Sequence, residues 1–196
     1  MKPIKTITLL FTALTLTALP QAAKAEYGDP CGINEGLGYT YDPQTRVCTP
    51  YWMDFSDDDG FDSIVQLGVQ SVEMRYISGI DVVYWLEVLC VKKKFSVLYY
   101  SAPIGMYPDT NLYGNGTGQI KFDNGKPRNI KYARTKSFDG ISITDGKAFV
   151  RSLMNARNSV SIKVYGIDGP AVATFPKGDF ASYLYLFRSA GCSVSK

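Results

Sequence analysis

The sequence of 196 residues contains no histidine. Histidine is the side chain that titrates near neutral pH, the base of the common Ser-His and Cys-His nucleophile pairs, and the commonest metal ligand. Its absence excludes those nucleophile pairs and the usual zinc sites. We therefore expect no cofactor, and carboxylates, lysines and tyrosines are the groups with which the chain could still do chemistry.

Long hydrophobic runs are scarce, and the apolar run at residues 7–19 is too short for the ~20 residues that a membrane-spanning helix needs. Lys2 and Lys5 precede this run, and the small-residue exit Ala23-Lys24-Ala25 follows it. A basic start, an apolar core and a small-residue exit are the three parts of a secretory signal peptide. We expect cleavage after Ala25 and a periplasmic mature protein without a transmembrane segment.

The mature chain also lacks a net charge. The formal charge of +3 comes from Lys2, Lys5 and Lys24, and the residues after 25 hold 18 bases and 18 acids. A neutral protein lacks the long-range attraction typical of nucleic-acid binders, so we expect no nucleic-acid partner. The charges are unevenly spread, however, since the residues before Cys90 sum to −10 and those after it to +10.

The basic half predicts a surface for an anionic envelope partner, either a protein complex or peptidoglycan. The alternative is that both halves contribute to the same sheets and their charges interleave. The candidate partner-binding residues combine the densest basic stretches with tyrosines of a long loop: Lys92, Lys93, Lys94, Tyr107, Tyr113, Lys121, Arg128 and Lys131.

Four cysteines in an oxidising compartment predict two disulfides, for which three pairings are possible. We favour Cys31 with Cys48, because this pair closes a segment rich in turn residues that cannot pack by itself. The second bridge, Cys90 with Cys192, would join the last element to a central strand. We divide the chain into residues 1–25 (signal peptide), 26–50 (a disulfide-closed loop with little regular structure) and 51–196 (one β-rich domain).

The pattern of apolar residues predicts an α+β protein that is mainly β, an antiparallel β-sandwich or open barrel with two helices in its C-terminal half. The first helix follows an N-cap at Asp145, and the second spans residues 180–188 and ends near Gly191. The Asp123-Asn124-Gly125 sequence predicts a hairpin turn, and residues 103–118, including Asn115-Gly-Thr117, read as loop and turn. The predicted strands are residues 64–69, 72–77, 82–91, 95–100, 118–123, 130–135, 141–144, 160–165 and 171–175.

Clustered carboxylates around Gly60 raise the possibility of a calcium site at Asp57, Asp59 and Asp62. An EF-hand loop would need an acid at Phe55 and a glutamate at Gln66, and both are absent. We favour an acidic turn that leads into the next strand and predict no metal site.

The order of several motifs resembles that of the type VI secretion-associated periplasmic proteins of the TagO or VasI family, and more distantly that of invasion-associated locus B proteins. The motifs are Trp52 with Ser56-Asp57-Asp58, Ile64-Val65-Gln66-Leu67, the apolar strand ending in Cys90, residues 120–125, Ser137-Phe138-Asp139-Gly140, the helix at residues 149–153, Ala173-Thr174-Phe175 and Cys192. The resemblance implies a non-enzymatic accessory protein of the envelope. It also supports the pairing of Cys90 with Cys192.

We therefore predict a periplasmic binding or accessory protein that is not an enzyme and has no catalytic residues. It would be associated with a secretion system or a mobile element. Two alternatives remain open. One is an inhibitor of a foreign or host enzyme that inserts the loop at residues 103–118, and the other is a hydrolase of cell-wall glycan that uses carboxylates.

Overall fold

A computed structural model of the chain describes residues 39–42, 44, 47–58, 63–72, 75–77, 80–102, 114–136, 140–166 and 169–194. The described residues form a predominantly antiparallel β structure with short helices, as the apolar pattern predicts. The first eight strands are β1 (Tyr39–Asp42), β2 (Val47–Pro50), β3 (Met53–Asp54), β4 (Asp57–Asp58), β5 (Ser63–Gln70), β6 (Arg75–Ile77), β7 (Ile80–Val91) and β8 (Lys94–Ala102). They are followed by β9 (Asn115–Phe122), β10 (Arg128–Arg134), β11 (Gly140–Ile143), helix α1 (Gly146–Asn155), β12 (Ser159–Gly166), β13 (Gly169–Pro176), a 3-10 helix (Phe180–Tyr183) and helix α2 (Leu184–Ser189).

Most strands belong to one large sheet with the order β13-β12-β9-β10-β11-β8-β7-β5-β3, while β4 pairs with β5 and β6 with β7. The sheet is curved, and the contact between its two sides is a hydrogen bond from the Val72 N–H, just after β5, to the Thr174 carbonyl in β13 at 2.8 Å. β13 at one end of the strand order therefore meets the chain next to β5, near the other end, and the sheet forms an open barrel with one interior.

Alternation along the strands determines which side chains enter this interior. In β5 the odd-numbered Val65, Leu67 and Val69 are buried, and in β12 the even-numbered Val160, Ile162 and Val164 are buried. β7 directs Tyr84, Leu86 and Val88 inward, which fits its position between β5 and β8. The predicted central strand is thus confirmed.

The helices lie at one end of the barrel, which we call the helical end and define by α1, α2 and the β7–β8 turn. Asp145 caps α1 as predicted, since its side chain accepts the Ala148 N–H at 2.9 Å. Phe149, Val150 and Leu153 of α1 are buried against the barrel interior. At the other terminus of α1 the Lys177 ammonium donates to the carbonyls of Met154 (2.9 Å) and Ala156 (2.6 Å).

Trp52 and the C-terminal helices close the rest of the helical end. The Trp52 side chain is fully buried, its indole N–H donates to the Lys177 carbonyl at 2.8 Å, and its ring lies 4.7 Å from that of Phe180. Tyr183 donates to the Trp52 carbonyl at 3.3 Å. Burial raises the pKa of the Tyr183 phenol, and the carboxylates of Asp179 and Asp54 raise it further.

The predicted disulfide between Cys90 and Cys192 is present and joins the end of β7 to the residue after α2. The predicted bridge between Cys31 and Cys48 lies outside the residues and side chains that the structure describes. None of the helices in the described part of the chain is long and apolar enough to cross a membrane.

Three predicted features are wrong or need new boundaries. Residues 39–50 are not without regular structure, because β1 and β2 pair as an antiparallel hairpin. The last predicted helix begins as a 3-10 helix and becomes α-helical only at Leu184. The strand predicted at residues 72–77 is shorter, with β6 limited to Arg75–Ile77.

The long loop predicted at residues 103–118 ends earlier than expected. Residues 103–113 lie outside the described part of the chain, but β9 begins at Asn115, so Asn115-Gly-Thr117 is strand and not turn. Its pairing with β10, Asn115 opposite Ala133 and Thr117 opposite Lys131, overrides the local turn propensity of Asn and Gly.

Candidate functional site

Two adjoining cavities lie at the helical end, on either side of the first turn of α1. The hairpin cavity, of about 320 Å³, lies between the β9–β10 hairpin, β11 and α1. The lysine cavity, of about 340 Å³, lies between the β7–β8 turn, the start of α1 and the chain after α2. Thr144 and Asp145 line both cavities, so the two adjoin at these residues, and we call them together the recess.

The hairpin cavity has an apolar floor and a basic rim. Its floor is formed by Ile120, Ile130, Ile143 and Phe149, and Arg128 and Lys131 stand at its edge. The Thr144 N–H donates to the Lys131 carbonyl at 3.0 Å and so extends the pairing of β10 with β11 up to the start of α1. A ligand with an apolar part and a negative charge would match both components of this cavity.

Arg128 is held in place before any ligand arrives. Its Nη2 donates to the Ser152 hydroxyl at 2.9 Å, and its guanidinium carbon lies 5.2 Å from the centre of the Phe122 ring. Ser152 in turn donates to the Ala148 carbonyl at 2.9 Å, one turn earlier in α1. An arginine fixed in this way loses less side-chain entropy on binding than a free one, and its other N–H groups can face a carboxylate.

The lysine cavity is lined by Lys93, Lys94 and Lys147. Close backbone approach shapes it, because a Cβ at Gly146 would lie 2.6 Å from the Phe95 carbonyl oxygen. Only glycine therefore lets α1 begin directly against β8. On the opposite wall Gly191 has φ +81°, and the Lys93 side chain passes close to its α-carbon.

The β7–β8 turn that presents these lysines has an unusual backbone. Lys92 and Lys93 have φ of 49° and 61°, so both are in the left-handed region. A two-residue hairpin turn needs this conformation, but Asn and Gly adopt it at lower cost than lysine. An Asn-Gly pair would therefore be more stable in this turn than the two lysines.

The electrostatics of the two cavities favour an anion. Five basic side chains of the described residues line them, namely Lys93, Lys94, Arg128, Lys131 and Lys147, whereas Asp145 is the only acid among the described lining residues. The Asp145 carboxylate is already used as the α1 cap. The exposed acids Asp54 and Asp57 lie in β3 and β4, next to β5, and neither lines a cavity of this region.

The structure brings some of the predicted partner-binding residues together and separates others. Lys93 and Lys94 line one cavity, and Arg128 and Lys131 line the other. Lys92 is in the β7–β8 turn but lines neither the hairpin cavity nor the lysine cavity. Lys121 lies in β9 opposite Ser161 of β12 and is also outside both cavities. Tyr107 and Tyr113 lie outside the described residues.

The sequence pattern did not identify Thr144, Lys147 or Ala148 as lining residues. Lys147 could have been identified from the sequence, because a basic residue in the first turn of a helix is unfavourable beside the positive end of the helix dipole. Its presence there calls for another explanation. Phe149 is a buried core residue, and its additional place in the hairpin cavity depends on how β10 and β11 meet α1.

Asp123 braces the hairpin that carries Arg128. Its carboxylate accepts N–H groups from Arg157 (2.8 Å), Asn158 (2.7 Å) and Ser159 (3.0 Å). These backbone N–H groups, with the Arg157 one acting most strongly, lower the pKa of Asp123 below its ordinary value of 3.8. Positive φ occurs here at Asp123 and not at Gly125 of the predicted turn.

Among the described residues no group of three or more His, Cys, Asp or Glu side chains is placed to hold a metal ion. Of the calcium candidates, Asp57 lies exposed in β4, whereas Asp59 and Asp62 lie outside the described residues.

No protein-family model, curated protein or solved structure matches this chain.

Proposed function

We propose that this protein is a non-enzymatic binding module of the bacterial envelope, and that its two cavities bind an acidic segment of an envelope protein. The proposal rests on the recess around Thr144 and Asp145, in which five basic side chains lie beside the apolar floor of the hairpin cavity. A peptide that alternates carboxylate and aliphatic side chains would fill the floor and neutralise the rim at once.

The chemistry of the lining favours binding over catalysis. A hydrolase of glycan needs a pair of carboxylic acids, one to donate and one to accept a proton or to attack. Among the described residues that line the recess, Asp145 is the one carboxylic acid, and one of its oxygens already accepts the Ala148 N–H. The remaining functional groups are ammonium, guanidinium and hydroxyl groups that suit recognition of a carboxylate.

The proposed location in the periplasm is supported by the expected signal peptide and by the resemblance to secretion-associated periplasmic proteins. A disulfide that joins Cys90 and Cys192 is compatible with an oxidising compartment. An accessory protein of a secretion apparatus would use the recess to hold one of its components. Peptidoglycan, whose stem peptides also carry carboxylates, is the competing partner.

A fluorescent peptide of alternating glutamate and leucine tests the proposal by anisotropy. We expect the full chain to bind it, and the variant Lys93→Glu/Lys131→Glu to bind at least about tenfold more weakly, because each reversal replaces attraction by repulsion. The matched control is Lys121→Glu/Lys136→Glu, which makes the same change of charge outside both cavities. Equal loss in the two double variants would show that only net charge matters and would contradict a specific recess.

A further inference from the structure

A second surface with recognisable chemistry lies on the outer face of β7 and β8. We call it the aromatic platform and define it as Phe55, Trp85, Tyr100 and Glu87. Trp85 and Tyr100 are direct partners on neighbouring strands, and their rings are nearly parallel, at 8° and with centres 6.4 Å apart. The Phe55 ring lies at the edge of Trp85, at 61° and 6.4 Å.

Strand alternation explains why these rings face outward. Tyr84, Leu86 and Val88 fill the barrel interior, so Trp85 and Glu87 must point to the opposite side of β7. Phe55 is 46% exposed, and Trp85 and Tyr100 are partly buried. The other tryptophan, Trp52, is fully buried at the helical end. The platform is therefore an apolar surface in contact with solvent.

Buried polar acceptors lie on the same face. Glu87 is only 8% exposed, and the one described group that donates to its carboxylate is the Tyr100 hydroxyl at 2.6 Å. Gln70, opposite Trp85 in the pairing of β5 with β7, is 1% exposed, and its side-chain oxygen accepts no hydrogen bond from the described residues. The Glu87 carboxylate has a second oxygen to which a ligand hydroxyl group can donate, whereas the Gln70 oxygen is too enclosed to meet a ligand on the surface.

Gly68 allows this arrangement to form. A Cβ at Gly68 would lie 3.0 Å from the Phe55 ring and 3.5 Å from the Glu87 Cγ, so a larger residue would displace the Phe55 ring and only make ordinary contact with Glu87. The Phe55 N–H donates to the Gln66 carbonyl at 2.8 Å, which fixes the backbone that carries the ring. The position of Phe55 over β5 is thus set by the backbone as well as by the contact of its ring.

We propose that the aromatic platform binds a neutral pyranose unit of a glycan. The apolar C–H face of the sugar would stack on Trp85 and Tyr100, and one of its hydroxyl groups would donate to the Glu87 carboxylate. The platform carries a carboxylate and no base, which disfavours the anionic ligand proposed for the cavities. A cation is the competing ligand, because one ring face beside a carboxylate can hold it, and tetramethylammonium distinguishes it from a sugar.

Neutral polysaccharides test this proposal independently of the cavities, since chitin and cellulose carry no charge that a basic rim would attract. We expect the full chain to sediment with at least one of the two polymers. Chitotetraose or cellotetraose, matched to the polymer retained, should change the fluorescence of Trp85. Trp85→Ala should bind about tenfold more weakly, since it removes the larger stacking ring, and Glu87→Gln, which keeps an acceptor for Tyr100, should bind a few-fold more weakly.

The matched control is Tyr165→Ala, which removes an exposed aromatic ring from the outer face of β12. It should bind like the unaltered chain, and the melting temperatures of all variants show whether each is folded. Failure to bind either polymer overturns the proposal, as does equal binding by folded Trp85→Ala. A fluorescence response to tetramethylammonium but not to the sugars would also overturn it and identify a cation site. Loss of acidic-peptide binding has no bearing on these results.

Discussion

At the scale of single residues, two lysines in the β7–β8 turn adopt a left-handed backbone conformation that lysine disfavours. Lys92 and Lys93 adopt positive φ, where a side chain with a Cβ is strained by about 1 kcal/mol or more. Lys93 lines the lysine cavity, and Lys92 does not. The strain at Lys93 therefore has a functional explanation in this account, and the strain at Lys92 can be relieved without loss of the site.

Lys92→Asn should raise the free energy of unfolding by about 1 kcal/mol, because asparagine adopts the left-handed conformation more readily. Urea denaturation measures this change, and the affinity for the acidic peptide should fall little. The control is Lys94→Asn, which makes the same chemical change one position into β8, where φ is not positive. Equal stabilisation by both substitutions would refute the explanation based on φ.

The role of a single residue can be predicted from the sequence where its residue type has one favoured local role. Asp145 was predictable as a cap because its side chain can reach the N–H groups of the first helical turn. The positive φ of Lys92 and Lys93 was not predictable, because nothing about lysine favours it. It follows from the requirement that β7 and β8 pair in register, with Val91 opposite Lys94.

At the scale of elements, one carboxylate reinforces the pairing of the β9–β10 hairpin with β12. Asp123 at the hairpin turn accepts three N–H groups, two just before β12 and one at its first residue, and these interactions lower its pKa. A lowered pKa in the folded state means that the stabilisation is complete above the ordinary value of 3.8 and is lost as the pH falls below it. The hairpin that carries Arg128 should therefore loosen in acid.

We expect Asp123→Asn to lower the melting temperature at pH 6, since asparagine offers one acceptor oxygen and no charge. The difference from the unaltered chain should shrink as the pH is lowered below about 4, where the carboxylate of the unaltered chain becomes protonated. Asp57→Asn, at an exposed position in β4, serves as the control. A difference for Asp123→Asn that stays constant down to pH 2.5 would contradict the role of its charge.

Most elements were predictable from apolar periodicity, and the misses have a common cause. β7 and α1 have strong apolar patterns within their own sequences, so both could be predicted, and the structure confirms their positions. The start of β9 at Asn115 and the β1–β2 hairpin depend on a partner strand that supplies hydrogen bonds to weakly apolar segments. Pairing of this kind is tertiary information that no local window contains.

At the scale of the whole molecule, the sheet order places distant segments side by side. β12 pairs with β9, and β11 pairs with β8, so the recess around Thr144 is assembled from segments between Lys93 and Ser193. The clustering of basic residues after Cys90 predicted a set of residues that bind an anionic partner. It did not predict that Arg128 and Lys131 would be grouped with Lys93 and Lys94 and that Lys121 would be left outside.

The bridge between Cys90 and Cys192 closes a loop of 102 residues that includes both cavities. The chain-entropy model assigns about 4.7 kcal/mol to a loop of about this length. We expect Cys90→Ala/Cys192→Ala to lose most of this free energy of unfolding, measured in urea without reductant. A loss below about 1 kcal/mol would mean that the bridge adds little to the packing of α2.

Amide chemical shifts measured during titration with the glutamate-leucine peptide show whether the recess around Thr144 and Asp145 is the binding surface. We predict that the largest changes occur at Lys131, Thr144 and Ala148, which line the hairpin cavity, and at Lys93 and Gly191 in the lysine cavity. Changes that are largest on β12 and β13, or that are spread evenly over all exposed lysines, would contradict the account.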